Sequence, residues 1–307
     1  MKWRWKPEQC ELSHFNAKEF LELVRGKSMA FIGDSMGRNQ VESLMCLLAN
    51  VEYFRTRIVL LHSIQKRVRN AVCQCYMRPI VLGVLSKMNV ALFYRPCFES
   101  GLIFLTRAAI SIDYNFTLGL VWSPNLVKSS IGNHNGSSVV GLFNLYLDKV
   151  DEGWTSKIED FDYLIISVGH WKALRTTFKA IPGIPNFKGV MILRAFSPIH
   201  FGSDNWVRGN CSRTTPIGKE EMVMDANNLE YYLTQVDEFR AAEREGRKRG
   251  LRFMLLDVFE AMGMKPDGHP QNKREAIADC LHWCLPGPID SWNEFLLHML
   301  KVEAPRD

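Results

Sequence analysis

Apolar residues along the chain follow two periods. Four short runs are apolar almost throughout and end at turn residues: "MAFIG" (29–33), "YLIISVG" (163–169), "VMILRAF" (190–196) and "RFMLLDV" (252–258). Runs of that length and continuity predict strands buried on both faces, as in a parallel sheet. Helical spacing appears between and after them. Behind Ser35, residues Val41, Leu44, Met45 and Leu48 recur at i, i+3, i+4 and i+7, placing one apolar stripe on a helix that opens at the serine. A long helix from about 222 to 249 is expected to turn Leu229, Tyr232, Leu233 and Val236 inward. The last helix begins near Asp290 or Ser291, either of which can cap it, and gathers Trp292, Phe295, Leu296, Met299 and Leu300 on one side. Strands alternating with helices predict an α/β fold, a mostly parallel central sheet between two helical layers, with ligands at the carboxyl ends of the strands. Ser35 lies at such an end. Residues 54–110 mix basic and apolar positions in neither period and predict no element.

Composition narrows the class. With 307 residues, 47% of them hydrophobic, the chain can bury a full core and suits one large domain. Its 38 basic and 33 acidic residues leave a net charge of +5, too mild and too dispersed for a nucleic-acid partner. The densest basic run, "REGRKRG" (244–250), reads as a solvated helix end. No apolar run reaches the roughly 18 residues of a membrane span, and "MKWRWKPEQCE" lacks the apolar core of a signal peptide. The eight cysteines do not form paired C-x-x-C sets, so no metal site is expected. Sequons at Asn115, Asn135 and Asn210, together with the cysteines, tilt the reading toward a secretory compartment.

The candidate chemistry begins in "MAFIGDSMGRNQ" (29–40). A serine between a strand end and a helix start has helix N–H groups behind it, an anion site ready for an oxyanion. To act as a nucleophile it needs an imidazole to take its proton and a carboxylate to fix that imidazole. "ADCLHWC" supplies both. Asp279 and His282 are three apart and share a face on a tight turn, leaving the second ring nitrogen free to meet Ser35. Alone, G-D-S reads as a helix cap and D-x-x-H as a surface ion pair. The order, serine first and Asp-x-x-His near the C-terminus, is the pattern of GDSL-type (SGNH) hydrolases and acyltransferases. His269 in "PDGHP" stands as an alternative base.

Longer blocks extend the likeness. "WRWKPEQCELSHFNAKEFLELVRGKSMAFIGDSMGRNQVESLMCLL", "YNFTLGLVWSPNLVK", "LYLDKVDEGWTSKIEDFDYLIISVGHW" and "DCLHWCLPGPIDSWNEFLLHML" resemble the plant trichome birefringence-like family of polysaccharide O-acetyltransferases, and "IISVGHW" most resembles its xyloglucan branch. The resemblance covers roughly residues 1–53 and 112–307 and implies an SGNH/GDSL-like three-layer α/β/α fold. It implies Ser35 as the acetylated nucleophile, His282 as general base and Asp279 as its orienting carboxylate. The acceptor would be a cell-wall polysaccharide such as xyloglucan, on a side-chain galactose. No bound cofactor is implied, only an acetyl donor such as acetyl-CoA as co-substrate. The Ser35 N–H and Gly169 are candidate oxyanion donors, whereas Ser167 stands where many relatives carry an asparagine, which removes a third. His170, Trp171 and His200 are candidate sugar-binding residues. Cys211 is implied to pair with Cys280. Family members are Golgi membrane proteins held by an N-terminal anchor, which on this resemblance is expected to be missing from the chain. On that reading residues 1–28 are the remnant of a cysteine-bearing N-terminal region and 29–307 the acyltransferase domain, with an atypical insertion at about 54–110. Cys10, Cys46 and Cys284 are then expected to lack their usual partners. Two alternatives stay open: an acetylesterase using the same triad with water as acceptor, and an inactive truncated polysaccharide-binding product.

Overall fold

The computed structural model describes residues 12–49, 51, 54–57, 107–111, 113–134, 137–169, 171–184, 187–200, 211, 213–270 and 279–303. The strands are β1 (Ser28–Gly33), β2 (Phe54–Arg57), β3 (Arg107–Ser111), β4 (Phe116–Trp122), β5 (Val127–His134), β6 (Ser137–Val150), β7 (Tyr163–Ser167), β8 (Val190–Arg194) and β9 (Arg252–Leu256). The helices are α1 (Ala17–Leu23), α2 (Ser35–Leu48), α3 (Glu152–Thr155), α4 (Leu174–Ala180), α5 (Ala226–Arg247), α6 (Phe259–Gly263) and α7 (Ile289–Glu303).

Seven strands form one sheet in the order β2-β3-β4-β1-β7-β8-β9. From β4 to β9 every pairing is parallel, and β3 and β2 extend that edge antiparallel. Alternation along β1 explains why its run is apolar throughout. Met29 and Phe31 join a core with α1, α2 and α7, whereas Ala30 and Ile32 face the opposite core with Trp154, Leu174, Phe178 and Phe239. A strand covered by helices on both faces has no solvent side to keep polar. The architecture is therefore the expected three-layer α/β/α fold with a mostly parallel sheet. Beside it, β5 and β6 form a two-stranded ribbon, and Ile131, Phe143, Tyr146 and Leu147 on it are exposed.

Three expectations need correction. Helix α5 does not bury the predicted stripe: Leu229 is 40% and Leu233 49% exposed. It buries Asn228, Gln235, Phe239 and Gly246 instead, because the two amides satisfy backbone groups of the loops below. Asn228 bonds both polar groups of Ile199, and Gln235 donates to the Val168 carbonyl. Neither Asp290 nor Ser291 caps α7. The Asp290 carboxylate accepts from the Ser43 hydroxyl at 2.6 Å and from the Gly287 N–H, and the Ser291 hydroxyl donates to the Pro288 carbonyl. Asn293 donates to Ser43 as well, so a buried polar seam joins α7 to α2. Cys284, expected without a partner, is disulfide-bonded. Cys46 is a free thiol, and burial pushes it up to about 11. Cys10, Cys73, Cys75 and Cys97 lie outside the described residues.

Gly33 sets how closely β1 and β7 meet at the carboxyl end. A Cβ there would lie 1.8 Å from the Ser167 carbonyl oxygen, and backbone cannot yield as a flexible side chain can. Gly33→Ala is accordingly expected to destabilise the fold by about 1–3 kcal/mol or more, read as a fall in melting temperature. An unchanged melting curve would mean that the strands separate at no cost.

Candidate active site

Asp34 N-caps α2 and thereby frees Ser35 from that task. One carboxylate oxygen of Asp34 accepts from the Met36 N–H at 2.9 Å and the other accepts from the Gly169 N–H at 2.9 Å. The second bond corrects an expectation: Gly169 is not free to stabilise an oxyanion, since its N–H already binds Asp34. The Ser35 N–H remains, and as the first amide of a helix it has no intrahelical partner.

The loop that follows residue 278 carries the candidate base. Asp279 Oδ1 accepts from the N–H groups of Leu281 and His282, closing a tight turn. That turn aims Asp279 Oδ2 at His282 Nδ1, 2.8 Å away, and His282 Nε2 lies 2.7 Å from Ser35 Oγ. The carboxylate can only accept, so Nδ1 carries the proton and Nε2 is left to receive the Ser35 hydroxyl proton. Partial burial alone would raise the Asp279 carboxyl, but the hydrogen bond and charge of His282 with the two N–H bonds outweigh it and hold it at about 2. The His282 and Asp279 side chains are 27% and 45% exposed, so solvent can reach the imidazole.

Beneath the serine lies a charge that sequence reading did not flag. Arg194, at the end of β8, is fully buried and donates to the Ser167 hydroxyl at 3.0 Å and to the Ala195 carbonyl. Its guanidinium sits 5.0 Å from the Trp292 ring centre. Burial pushes it down to about 10, opposed by the charge of Asp34. Ser167 is thus a buried partner of Arg194.

His200, a candidate sugar-binding residue, has both ring nitrogens turned to groups of the protein. Its Nδ1 is 2.7 Å from His269 Nε2 and its Nε2 is 3.3 Å from the Gly263 carbonyl. His269, the alternative base, is buried with Nδ1 against the His282 carbonyl at 2.7 Å, so both its nitrogens are taken away from Ser35. His170 and the Trp171 side chain lie outside the described residues, as do Asn135 and Asn210. Asn115 is exposed on the turn before β4. Among the described residues no group of three or more His, Cys, Asp or Glu is arranged to hold a metal, and no helix is long and apolar enough to cross a membrane.

Cys211 and Cys280 form a disulfide, and Cys280 adjoins Asp279. Closing a loop with a separation of 69 residues is worth about 4 kcal/mol by chain entropy. The double variant Cys211→Ser, Cys280→Ser is expected to lose stability of that order in denaturant unfolding; no loss would show that the bridge does not constrain this chain.

Acid should destabilise the protein in two stages. Burial and the neighbouring His200 push His269 down to about 4, so it stays neutral in the fold while the unfolded chain charges near 6.5. Its contribution is complete above pH 6.5 and declines as pH falls to about 4. The Asp279 contribution is present above the unfolded carboxyl's ordinary 3.8 and is lost as pH falls toward about 2. Melting temperatures across pH 2–8 test both windows, and His269→Phe should flatten the first.

Comparison with known proteins gives consistent matches. The PC-Esterase family, described as the "GDSL/SGNH-like Acyl-Esterase family found in Pmr5 and Cas1p", matches residues 12–79, 106–172 and 172–299. "Protein trichome birefringence-like 20" of Arabidopsis thaliana is 39% identical over 98% of this chain and 63% of its own length. "Protein trichome birefringence-like 19" of the same plant is 38% identical over 100% of this chain and 72% of its own. "Xyloglucan O-acetyltransferase 4" of Populus trichocarpa is 35% identical over 98% of this chain and 71% of its own. The chain thus spans a little under two thirds of the first of these relatives.

Proposed function

Because the chain belongs to the PC-Esterase family of GDSL/SGNH-like acyl-esterases, and within it to the trichome birefringence-like proteins, we propose that it is an O-acetyltransferase acting on a cell-wall polysaccharide. Xyloglucan, through a side-chain galactose, is the first acceptor to try, since relatives carry that activity in their names. The observation that carries the reading is the continuous hydrogen-bonded chain from Asp279 through His282 to Ser35.

In this account Ser35 Oγ attacks the acetyl carbonyl of the donor while His282 Nε2 takes the hydroxyl proton. The oxyanion forms at the start of α2, where the Ser35 N–H and the helix dipole favour negative charge. Collapse expels the donor's leaving group, which departs with the proton from His282 and leaves acetyl-Ser35. A sugar hydroxyl then gives its proton to His282 and attacks the ester carbonyl. Ser35 departs as alkoxide and recovers the proton from His282. Asp279 stays ionised throughout and stabilises the imidazolium. Transfer outruns hydrolysis only if the acceptor is held better than water. Acetyl-CoA is a candidate donor. We place the reaction in the Golgi lumen, where the Cys211–Cys280 bridge would be stable.

Incubation with acetyl-CoA and deacetylated xyloglucan oligosaccharides, followed by mass spectrometry of the sugars, tests the reading. Acetylated oligosaccharide supports transfer. Free acetate with unmodified sugar would overturn transfer in favour of the esterase that the family description names.

A further inference from the structure

The peptide unit that joins His282 to Trp283 is gripped at both polar ends by residues the reaction scheme does not use. Its carbonyl oxygen is 2.7 Å from His269 Nδ1, and its N–H donates to Asn39 Oδ1 at 3.1 Å. Asn39 lies one turn along α2 from Ser35, so the same helix that presents the nucleophile also holds the backbone of the base. From these contacts we infer that Asn39 and His269 form a clamp that sets the position of the His282 ring relative to Ser35, and that His200 fixes the clamp's tautomer. The inference rests on the triad reading above.

Proton bookkeeping defines the roles. A carbonyl oxygen only accepts, so His269 Nδ1 carries the hydrogen and His269 Nε2 is a bare acceptor. The 2.7 Å contact to His200 Nδ1 then requires the hydrogen on His200. The opposite assignment would leave two lone pairs facing each other. Neutral rings hold one N–H each, so both are used, and the longer 3.3 Å approach of His200 Nε2 to the Gly263 carbonyl is the contact left without a proton. Packing holds the planes. The His269 ring stacks on Trp283 with centroids 4.3 Å apart, and the Trp283 indole N–H donates to the Ser197 hydroxyl at 3.1 Å. Asn39, His269 and Trp283 are all buried, so the peptide has no water to replace either partner.

Both holds are positional, because the side-chain bonds of Asn39 and His269 go to the His282–Trp283 peptide and not to the Ser35 hydroxyl. Displacing a catalytic group by about 1 Å can cost on the order of 10²-fold in rate. A fluorophosphonate probe reads the nucleophile without any polysaccharide: Ser35 Oγ bonds to phosphorus, fluoride leaves and His282 takes the proton. Asn39→Ala and His269→Phe are each expected to slow this labelling about 10²-fold, with folded protein by circular dichroism and melting temperatures lowered by several degrees. Asn39→Asp keeps the acceptor, and His269→Asn keeps an N–H donor near the Nδ1 position. Both should recover most of the rate, which a merely structural role would not predict. Folded Ala and Phe variants that label as fast as the wild type would overturn the clamp, as would conservative variants as slow as the disruptive ones. A folded wild-type chain whose Ser35 does not label at all would overturn the triad and the clamp together, whereas labelling without acetyl transfer to any sugar would overturn the proposed acceptor alone and leave the clamp to stand on its rates.

Discussion

Ser35→Ala is expected to lower acetyl transfer by at least about 10⁴-fold while leaving the fold intact. On the proposed mechanism the hydroxyl carries the acetyl, and among the described residues it is the side-chain group that lies 2.7 Å from His282 Nε2 at the start of α2. The loss should fall on kcat, since Ser35 contributes a bond made during reaction and little to ground-state binding. Stability should change little. The substitution removes one half-exposed hydrogen bond, and alanine suits a helix start already capped by Asp34. A melting temperature within about 2–4 °C of the wild type, combined with lost activity, separates a missing nucleophile from a missing fold. Retention of more than about a tenth of the activity would remove Ser35 from the mechanism.

Asp279→Asn is expected to cost about 10³–10⁴-fold. The amide fills the same space but can present its NH₂ to His282 Nδ1, which favours the tautomer with hydrogen on Nε2 and leaves no lone pair for the Ser35 proton. It also removes the negative charge that stabilises the imidazolium. The effect should be smaller than in a sealed site, because Asp279 is 45% exposed and water screens its charge. The activity profile is informative as well. In the wild type the carboxyl, held at about 2, remains ionised across the neutral range, so it should contribute no inflection between pH 5 and 8. If Asp279→Asn kept wild-type kcat, His282 would have to be oriented by its backbone alone.

What the sequence made legible follows from where the local pattern is strong. β1, β7 and β8 are buried on both faces, so their apolar runs carry the signal without interruption, whereas β9, at the sheet edge, keeps an apolar run although Met254 and Leu255 are only half-buried. α2 opens where the Gly-Asp-Ser turn ends, and its stripe of Val41, Leu44 and Leu48 is buried as expected. β4 is interrupted by Thr117 and Gly119 and escaped the pattern, although its residues stood out as a block. The β5–β6 ribbon was missed because it keeps apolar residues on its surface. α5 misled because a 3.6-residue reading assumes that apolar positions face inward. Here Asn228 and Gln235 are the inward residues, and their value lies in backbone groups that the sequence does not bring near.

The site divides the same way. Asp279 and His282 are three residues apart, so their contact is local and readable from spacing. Their approach to Ser35 spans 247 positions and was legible only from the order of motifs. Gly169 was misread because the second oxygen of Asp34 reaches across from β1 to the end of β7. His200 and His269 looked like substrate or base candidates, since an isolated histidine in sequence carries no sign of which groups will saturate its nitrogens. Arg194 gave no signal beyond interrupting an apolar run, yet it occupies the most buried charged position beneath the serine.

The central claim is that Ser35 carries the acetyl group between donor and acceptor. Intact-protein mass spectrometry after a brief incubation with acetyl-CoA alone, with peptide mapping of the adduct, tests it most directly. The account predicts one acetyl on Ser35, discharged when deacetylated xyloglucan oligosaccharide is added and absent in Ser35→Ala. Acetylated sugar produced at the wild-type rate by Ser35→Ala, or an adduct that maps elsewhere and discharges to the sugar, would contradict it.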